Sequence, residues 1–241
     1  MSGHNKWSKI KNKKGAADAK RGAIFTKLGK AITIAVREGG ADPTMNFKLR
    51  IAIDAGRSAN MPNENVDRAI KRGTGDGEGG EMAEGLFEAY GPSGVAFVIE
   101  TLSDNKNRIS ADISIALRKS GANSADPGSV LYNFEKKAVV SFLDAKEKIK
   151  DADEFEMALI DAGAEDIEIE DAGATIMGEL SSFQRLVEAV EVFGIIPDEA
   201  SLQYVAKMPL TIDESTTAKV EKIIEALEEL DDVQHVFTNV G

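Results

Sequence analysis

No cysteine occurs in the 241 residues, and the two histidines, His4 and His235, lie at opposite ends of the chain. The first absence excludes disulfides, thiolate zinc sites and a cysteine nucleophile. The second agrees with the lack of any HExxH spacing, and no GxSxG nucleophile elbow is present either. No apolar run approaches the roughly 20 residues needed to cross a bilayer, and the lysine-bearing N-terminus lacks the apolar stretch of a secretory signal. A cytoplasmic protein with no membrane partner is therefore expected. The glycine-rich stretch GTGDGEGGE, residues 73–81, lacks the Lys-Ser/Thr ending of a P-loop, and its three acids would repel phosphate. Acidic residues are numerous, at 41, but surface carboxylates are normally solvated and no assembled set of catalytic roles is visible. The expectation is a protein that is not an enzyme and needs no cofactor or metal.

What the chain does have is charge, divided unevenly. Net charge is -12, yet residues 1–72 hold 10 Lys and 6 Arg against 6 acids, a balance of +10. The remainder carries 13 basic against 35 acidic residues, or -22. Within residues 1–37 alone, ten basic residues face a single acid, Asp18. A polarity of this size is the signature of a basic part made for a polyanion, carried on a body that like-charge repulsion holds away from it.

Periodicity organises the same chain into elements. Residues 4–19 show no sustained apolar period and read as a loosely folded arm. From about Lys20, the residues Ile24, Phe25, Leu28, Ala31, Ile32, Ala35 and Val36 share one side of a helical projection. Lys20, Lys27, Lys30 and Arg37 share the adjoining side, and Gly39-Gly40 ends the helix. A second helix is expected from Asp42 as N-cap with Pro43 at its first position, burying Met45, Leu49, Ala52 and Ile53. A third starts near Pro62-Asn63, buries Val66, Ala69 and Ile70, and stops at Lys71-Arg72-Gly73. Residues 73–81 then read as a flexible linker.

Beyond the linker, strands are expected at 86–90 and 95–102 around a Gly91-Pro92-Ser93-Gly94 turn, followed by a helix closing at Gly121. The stretch 138–206 reads βαββαβ, the ferredoxin-like plan. A strong helix through Val220, Ile223, Ile224, Leu227 and Leu230 and a strand around 233–240 complete the chain. The expected fold is an α+β multidomain protein: a three-helix bundle followed by two α/β domains, the inserted one ferredoxin-like. The expected division is 1–80 for arm, helices and linker, 81–130 with 207–241 as a discontinuous domain, and 131–206 as the insertion. Sequential, separately folded units are the alternative, since neighbours in sequence are usually neighbours in space.

The strings GHNKWSKIKNKKGAADAKRGAIFTK, NMPNENVDRAIKRG, YGPSGVAFVIETLSDNKNR and GSVLYNFEKK resemble the signature blocks of the YebC family, which includes the mitochondrial translational activator of cytochrome oxidase. The resemblance runs from residue 3 to the C-terminal strand. It implies a three-domain regulator of gene expression, whose members are described as probable transcriptional regulators that bind DNA. Others resemble translation factors acting on ribosomes, including ones paused on proline-rich stretches. The chain departs from the pattern at Asn12-Lys13, where the family often shows His-Arg, and at Phe47, where a proline is common.

The candidate nucleic-acid-binding residues are Lys6, Lys9, Lys11, Lys13, Lys14, Lys20 and Arg21, with Lys27 and Lys30 on the helix flank. Lysine is a flexible point charge suited to phosphate, whereas base reading favours Arg, Asn or Gln on a rigid element. This set should position nucleic acid rather than specify sequence. Trp7 could stack on an unpaired base or anchor the arm to the first helix. A secondary candidate is Asn105, Lys106, Asn107 and Arg108, at a strand-to-helix junction where Ser103 or Asp104 would cap. The expected partner is nucleic acid, either DNA or ribosomal RNA with the ribosome as its carrier.

Overall fold

A computed structural model describes residues 18–75 and 82–241. The arm residues Lys6 to Lys14, Trp7 and the linker stretch 76–81 lie outside the described residues. Helix α1 spans Asp18–Gly39, α2 Phe47–Ser58 and α3 Asn63–Gly73. Their apolar stripes meet in a core of Ile32, Ala35, Val36, Leu49, Ile53, Met61, Val66 and Ala69, with Phe25, Leu28, Ala52 and Ile70 packed against it. Thr33 is buried in this core because its Oγ1 donates to two carbonyls, Gly29 O at 2.9 Å on its own helix and Ala69 O at 3.0 Å on α3. Gly73 lies so close to α1 that a Cβ there would sit 2.5 Å from Val36 Cβ. Since Gly29 adjoins Met61, Thr33 adjoins Ala69 and Val36 adjoins Gly73, α3 runs along α1 in the same sense, and the two C-terminal ends coincide.

The start of α2 corrects the sequence reading. Its N-cap is Asn46, four residues later than the expected Asp42. Asn46 is buried and uses both ends of its amide: Oδ1 accepts from Leu49 N at 3.1 Å, while Nδ2 donates to Ala35 O at 2.6 Å and Gly40 O at 2.8 Å. A carboxylate at the same place could satisfy the amide but not the two carbonyls. Asp42 instead closes a local turn, its Oδ1 accepting from Thr44 N at 2.9 Å and Thr44 Oγ1 at 2.7 Å. Met45, expected in the buried stripe, therefore precedes the helix and is 84% exposed.

From residue 82 the chain runs through β1 (Ala83–Tyr90), β2 (Ala96–Ser103), α4 (Lys106–Ser120), β3 (Asn123–Ala125), β4 (Phe134–Leu143), α5 (Ala145–Lys148), α6 (Ala152–Asp161), β5 (Ala164–Glu170), β6 (Gly173–Gly178), α7 (Phe183–Val192), β7 (Glu199–Ala206), α8 (Glu214–Glu228) and β8 (Val233–Thr238). The strands form two four-stranded antiparallel sheets, so the fold is α+β with a helical N-terminal region.

The first sheet has the order β3-β1-β2-β8. Phe97 and Ile99 on β2 and Ala89 on β1 face a layer made by Ile109, Ile113 and Leu117 of α4 with Val220, Ile223 and Leu227 of α8. Gly121 ends α4 at φ +89°, a left-handed conformation that glycine adopts without steric cost. The tail strand β8 joins the edge of β2, with Phe97 opposite Thr238 and Ile99 opposite Val236.

The second sheet has the order β5-β6-β4-β7, which in chain order is 2-3-1-4, the ferredoxin-like arrangement. Alternate residues Ala138, Val140 and Phe142 of β4 and Ala174 and Ile176 of β6 are fully buried, as are Phe155 and Leu159 of α6 and Leu186 and Val190 of α7. Phe155 meets Phe142 edge-on at 5.9 Å and Phe193 at 5.1 Å, geometries favoured by the ring quadrupole. The one-turn helix α5 and the three-residue strand β3 carry too little periodicity to be read in advance.

Candidate nucleic-acid interface

Lys20 and Arg21 fall in the opening turns of α1, and Lys27 and Lys30 follow farther along it. The last two do not stand out into solvent. Lys27 Nζ donates to Glu228 O, and Lys30 Nζ donates to Asp231 O at 2.8 Å and to the carboxylate of Asp232. The Lys30 and Asp232 side chains are 12% and 11% exposed, so this ion pair is largely out of water. The turn between α8 and β8 thus holds the basic flank of α1 through two main-chain carbonyls and one carboxylate.

The same carboxylate reaches the secondary candidate. Asp232 Oδ2 accepts from Ser103 Oγ at 2.7 Å and from Arg108 Nη2 at 2.8 Å, and Arg108 Nη2 also meets Asp104 Oδ1 at 2.8 Å. Burial by itself would raise the Asp232 pKa, but the hydrogen bonds from Arg108, Lys30 and Ser103 outweigh it and hold the carboxyl below its ordinary value. In turn Asp232 and Asp104 raise the pKa of Arg108. Two clusters that the sequence presents as separate phosphate sites are therefore joined around one internal anion.

The amide ends of α4 are also occupied. Asn105, not Ser103 or Asp104, is the N-cap, and its Oδ1 accepts from Asn107 N at 3.1 Å and Arg108 N at 3.0 Å. Ser103 is drawn instead toward Asp232 and accepts from Asn105 N at 3.1 Å. Lys106 and Asn107 are exposed beside this cap. A second amide-lined turn, residues 128–131, is closed in the same way by Glu88 of β1, which accepts from Gly128 N, from Val130 N at 2.7 Å and from Leu131 N at 2.9 Å. Burial works to raise the Glu88 pKa, and the three backbone donors more than reverse it, leaving it lowered. Both of these amide-lined turns already hold a side-chain oxygen.

The helical region retains other cations. Lys48 pairs with Glu38 at 2.7 Å and Arg57 with Asp54 at 3.0 Å, while Arg50 lies 4.9 Å over the Phe47 ring. Arg37, Arg68 and Lys71 are exposed, Arg72 is half-buried, and among the described residues these four make no ion pair. The sequence reading takes Lys71 and Arg72 as helix-terminating residues and does not single out Arg68 at all. The spacing Arg68-x-x-Lys71-Arg72 on one helix is the available signal. Among the described residues no group of three or more His, Cys, Asp or Glu side chains is placed to hold a metal ion, and no helix is long and apolar enough to cross a membrane.

The arrangement has known counterparts. Residues 5–76 match the family model described as the TACO1/YebC protein N-terminal domain, and residues 82–240 match that of the TACO1/YebC second and third domain. A probable transcriptional regulatory protein of Brachyspira hyodysenteriae is 45% identical over 244 residues, covering 100% of this chain and 96% of its own. One from Thermoanaerobacter pseudethanolicus is 45% identical over 240 residues, covering 100% of this chain and 97% of its own. The crystal structure of a conserved hypothetical protein from Aquifex aeolicus superposes with a TM-score of 0.84 at 37% identity, covering 94% of this chain and 93% of that one. With both parts of the chain matched and full-length relatives at this identity, the chain belongs to the TACO1/YebC family.

Proposed function

We propose that this protein is a non-catalytic regulator of gene expression in the cytoplasm that holds nucleic acid by its phosphate backbone, with the DNA of regulated genes as its target. The observation that carries the reading is the charge division: +10 in residues 1–72 against -22 beyond them. A basic segment of this density gains affinity mainly by releasing counterions from the polyanion, and the acidic remainder keeps the rest of the molecule off it. The names of the relatives, probable transcriptional regulatory proteins, favour the DNA target. In this reading residues 1–80 make the contact, with Lys6, Lys9, Lys11, Lys13, Lys14, Lys20 and Arg21 on phosphates and Trp7 either stacking on an unpaired base or anchoring the arm. Lys27, Lys30 and Arg108 are left out because carbonyls and carboxylates of the chain occupy them.

One observation favours ribosomal RNA as a second reading. Helix α3 follows α2 after a short turn, as a groove-reading helix would, but it exposes Glu64 and Asp67 in its first two turns. A helix seated in a duplex major groove leads with those residues, where phosphates flank it on both sides. Contact with backbone geometry, as on folded RNA, avoids that clash.

Crosslinking in cells followed by sequencing of the retained nucleic acid separates the readings. Recovery of promoter DNA supports the first and recovery of ribosomal RNA the second; recovery of neither removes both. Changing Lys9, Lys11, Lys13 and Lys14 together to Ala should weaken binding to all sequences alike and flatten its salt dependence, with the thermal midpoint unchanged.

A further inference from the structure

Four cations at one place in the bundle have no internal use among the described residues. Thr33 Oγ1 binds Ala69 O at 3.0 Å, and a Cβ on Gly73 would lie 2.5 Å from Val36 Cβ and 2.8 Å from Thr33 O. The last turn of α3 is therefore seated on the last turns of α1. Arg37 follows Val36 directly, Lys71 and Arg72 directly precede Gly73, and Arg68 lies one turn back on α3, three and four residues from that pair. The absence of a side chain at Gly73 is what permits the approach.

The bundle's other cations farther along the described helices are engaged. Lys27 and Lys30 are held by the turn after α8, Lys48 by Glu38, Arg57 by Asp54, and Arg50 by the Phe47 ring. The nearest acid in sequence to Arg37 is Glu38, and Lys48 already occupies it. Beyond the bundle, Arg108, Lys137, Lys146 and Lys148 are paired with carboxylates. The exposed Lys106, Arg118, Lys119, Lys150, Lys219 and Lys222 make no ion pair among the described residues but are divided among α4, α8 and the turn after α5. Arg37, Arg68, Lys71 and Arg72 stand at the joined helix ends without an ion pair among the described residues, the acids of α3, Glu64 and Asp67, lying nearer its other end.

Local stability accounts for part of this patch only. A cation in the last turn gains about 0.3–1 kcal/mol from the helix dipole, which suits Arg37, Lys71 and Arg72. Arg68 precedes the last turn of α3; Lys71 and Arg72, three and four residues on, repel it by about 0.2–0.5 kcal/mol each, and Glu64 four residues before it offsets about one of these, so local pairing leaves no net gain there. Three of the four are arginines, whose planar fork grips phosphate oxygens two at a time and sheds water more readily than an ammonium does.

We infer that the joined C-terminal ends of α1 and α3 form a second phosphate-contact face, in which Arg37, Arg68, Lys71 and Arg72 grip the backbone of a bound nucleic acid. The inference rests on the nucleic-acid reading above and adds to it a rigid contact, distinct from the arm, that fixes how the bundle is oriented on its target. Rigid arginines on packed helices set register, while a lysine-rich arm supplies sequence-independent attraction.

The test is a titration of the full chain against a duplex DNA and a folded RNA over a range of salt. The variant carries Arg37→Gln, Arg68→Gln, Lys71→Gln and Arg72→Gln. Log K against log salt should flatten by roughly 0.7–0.9 for each phosphate no longer neutralised, and affinity near physiological salt should fall at least tenfold. A charge-keeping variant, with the three arginines changed to Lys, should hold most of the slope. Whichever probe shows the effect identifies the source of the phosphates. If the fourfold variant fails to fold, Arg68→Gln alone, exposed and within α3, should still reduce the slope by the amount of one phosphate. Wild-type affinity and slope in the variants, with binding still abolished by neutralising the arm lysines, would overturn the second face and leave the nucleic-acid reading standing. No binding of either probe by the wild-type chain removes both. Weakened binding to an acidic polypeptide such as polyglutamate, with nucleic-acid binding intact, overturns the inference as well.

Discussion

Replacing Asp232 with Asn tests whether the α8–β8 turn holds α1 and the start of α4 through a single charge. The substitution keeps shape and one acceptor oxygen but leaves the Lys30 ammonium, with a side chain 12% exposed, without its counter-charge. Breaking a buried pair by removing one partner costs about 3–5 kcal/mol. The lower end applies here, about 3 kcal/mol, because Lys30 keeps the Asp231 carbonyl and the Arg108 side of the network is half in solvent. At about 2–4 °C per kcal/mol for domains of this size, the melting midpoint should fall by roughly 6–12 °C. The pH dependence gives a second readout. Asp232 is lowered in the folded state, so its contribution is fully present above the ordinary carboxylate pKa and is lost as pH falls through the lowered folded value. The gap between wild type and Asp232→Asn should accordingly be constant near neutrality and close below about pH 4. Calorimetry across that range measures both. A change below about 0.5 kcal/mol at neutral pH, typical of an exposed ion pair, would refute the clamp.

Asn46→Ala removes a cap and leaves the Ala35 and Gly40 carbonyls without their donor, so chemical denaturation should show a loss of about 2–3 kcal/mol. Asn46→Asp should recover only the cap, since it cannot donate. Gly73→Ala forces a methyl into Val36 and should cost about 1–3 kcal/mol by the same measurement, whereas Gly22→Ala on α1, with nothing within 4 Å, should be neutral or stabilising. Glu88→Gln leaves one carbonyl oxygen facing three amides; hydrogen exchange at Gly128, Val130 and Leu131 should quicken, with a stability loss of about 2 kcal/mol at neutral pH. Because Glu88 is lowered in the fold, that loss should shrink as pH drops below the ordinary glutamate range.

Several elements are legible in the sequence because their signals are local. The stripe Ile32, Ala35 and Val36 buries as its period requires, Gly121 ends α4, and the βαββαβ run closes into the expected sheet order. The start of α2 is not, because Asp42-Pro43 satisfies every short-range rule for a helix start. The decisive partners of Asn46 are carbonyls of the preceding helix and its end, which no short-range rule contains. A better signal exists in the family pattern, where a proline is common at position 47, the first turn of the observed helix.

Periodicity, charge division and signature strings are therefore enough to determine the main element types, the two-pole charge and the family, since each is a property of neighbouring residues or of composition. Tertiary structure decides which cations remain available. Lys30 and Asp232 are 202 residues apart in sequence and share a nearly dry ion pair, while Arg37 and Arg72 stand at coincident helix ends with no carboxylate paired to them among the described residues. A residue's charge is fixed by its side chain, but whether that charge faces solvent or a counter-ion depends on packing between distant segments.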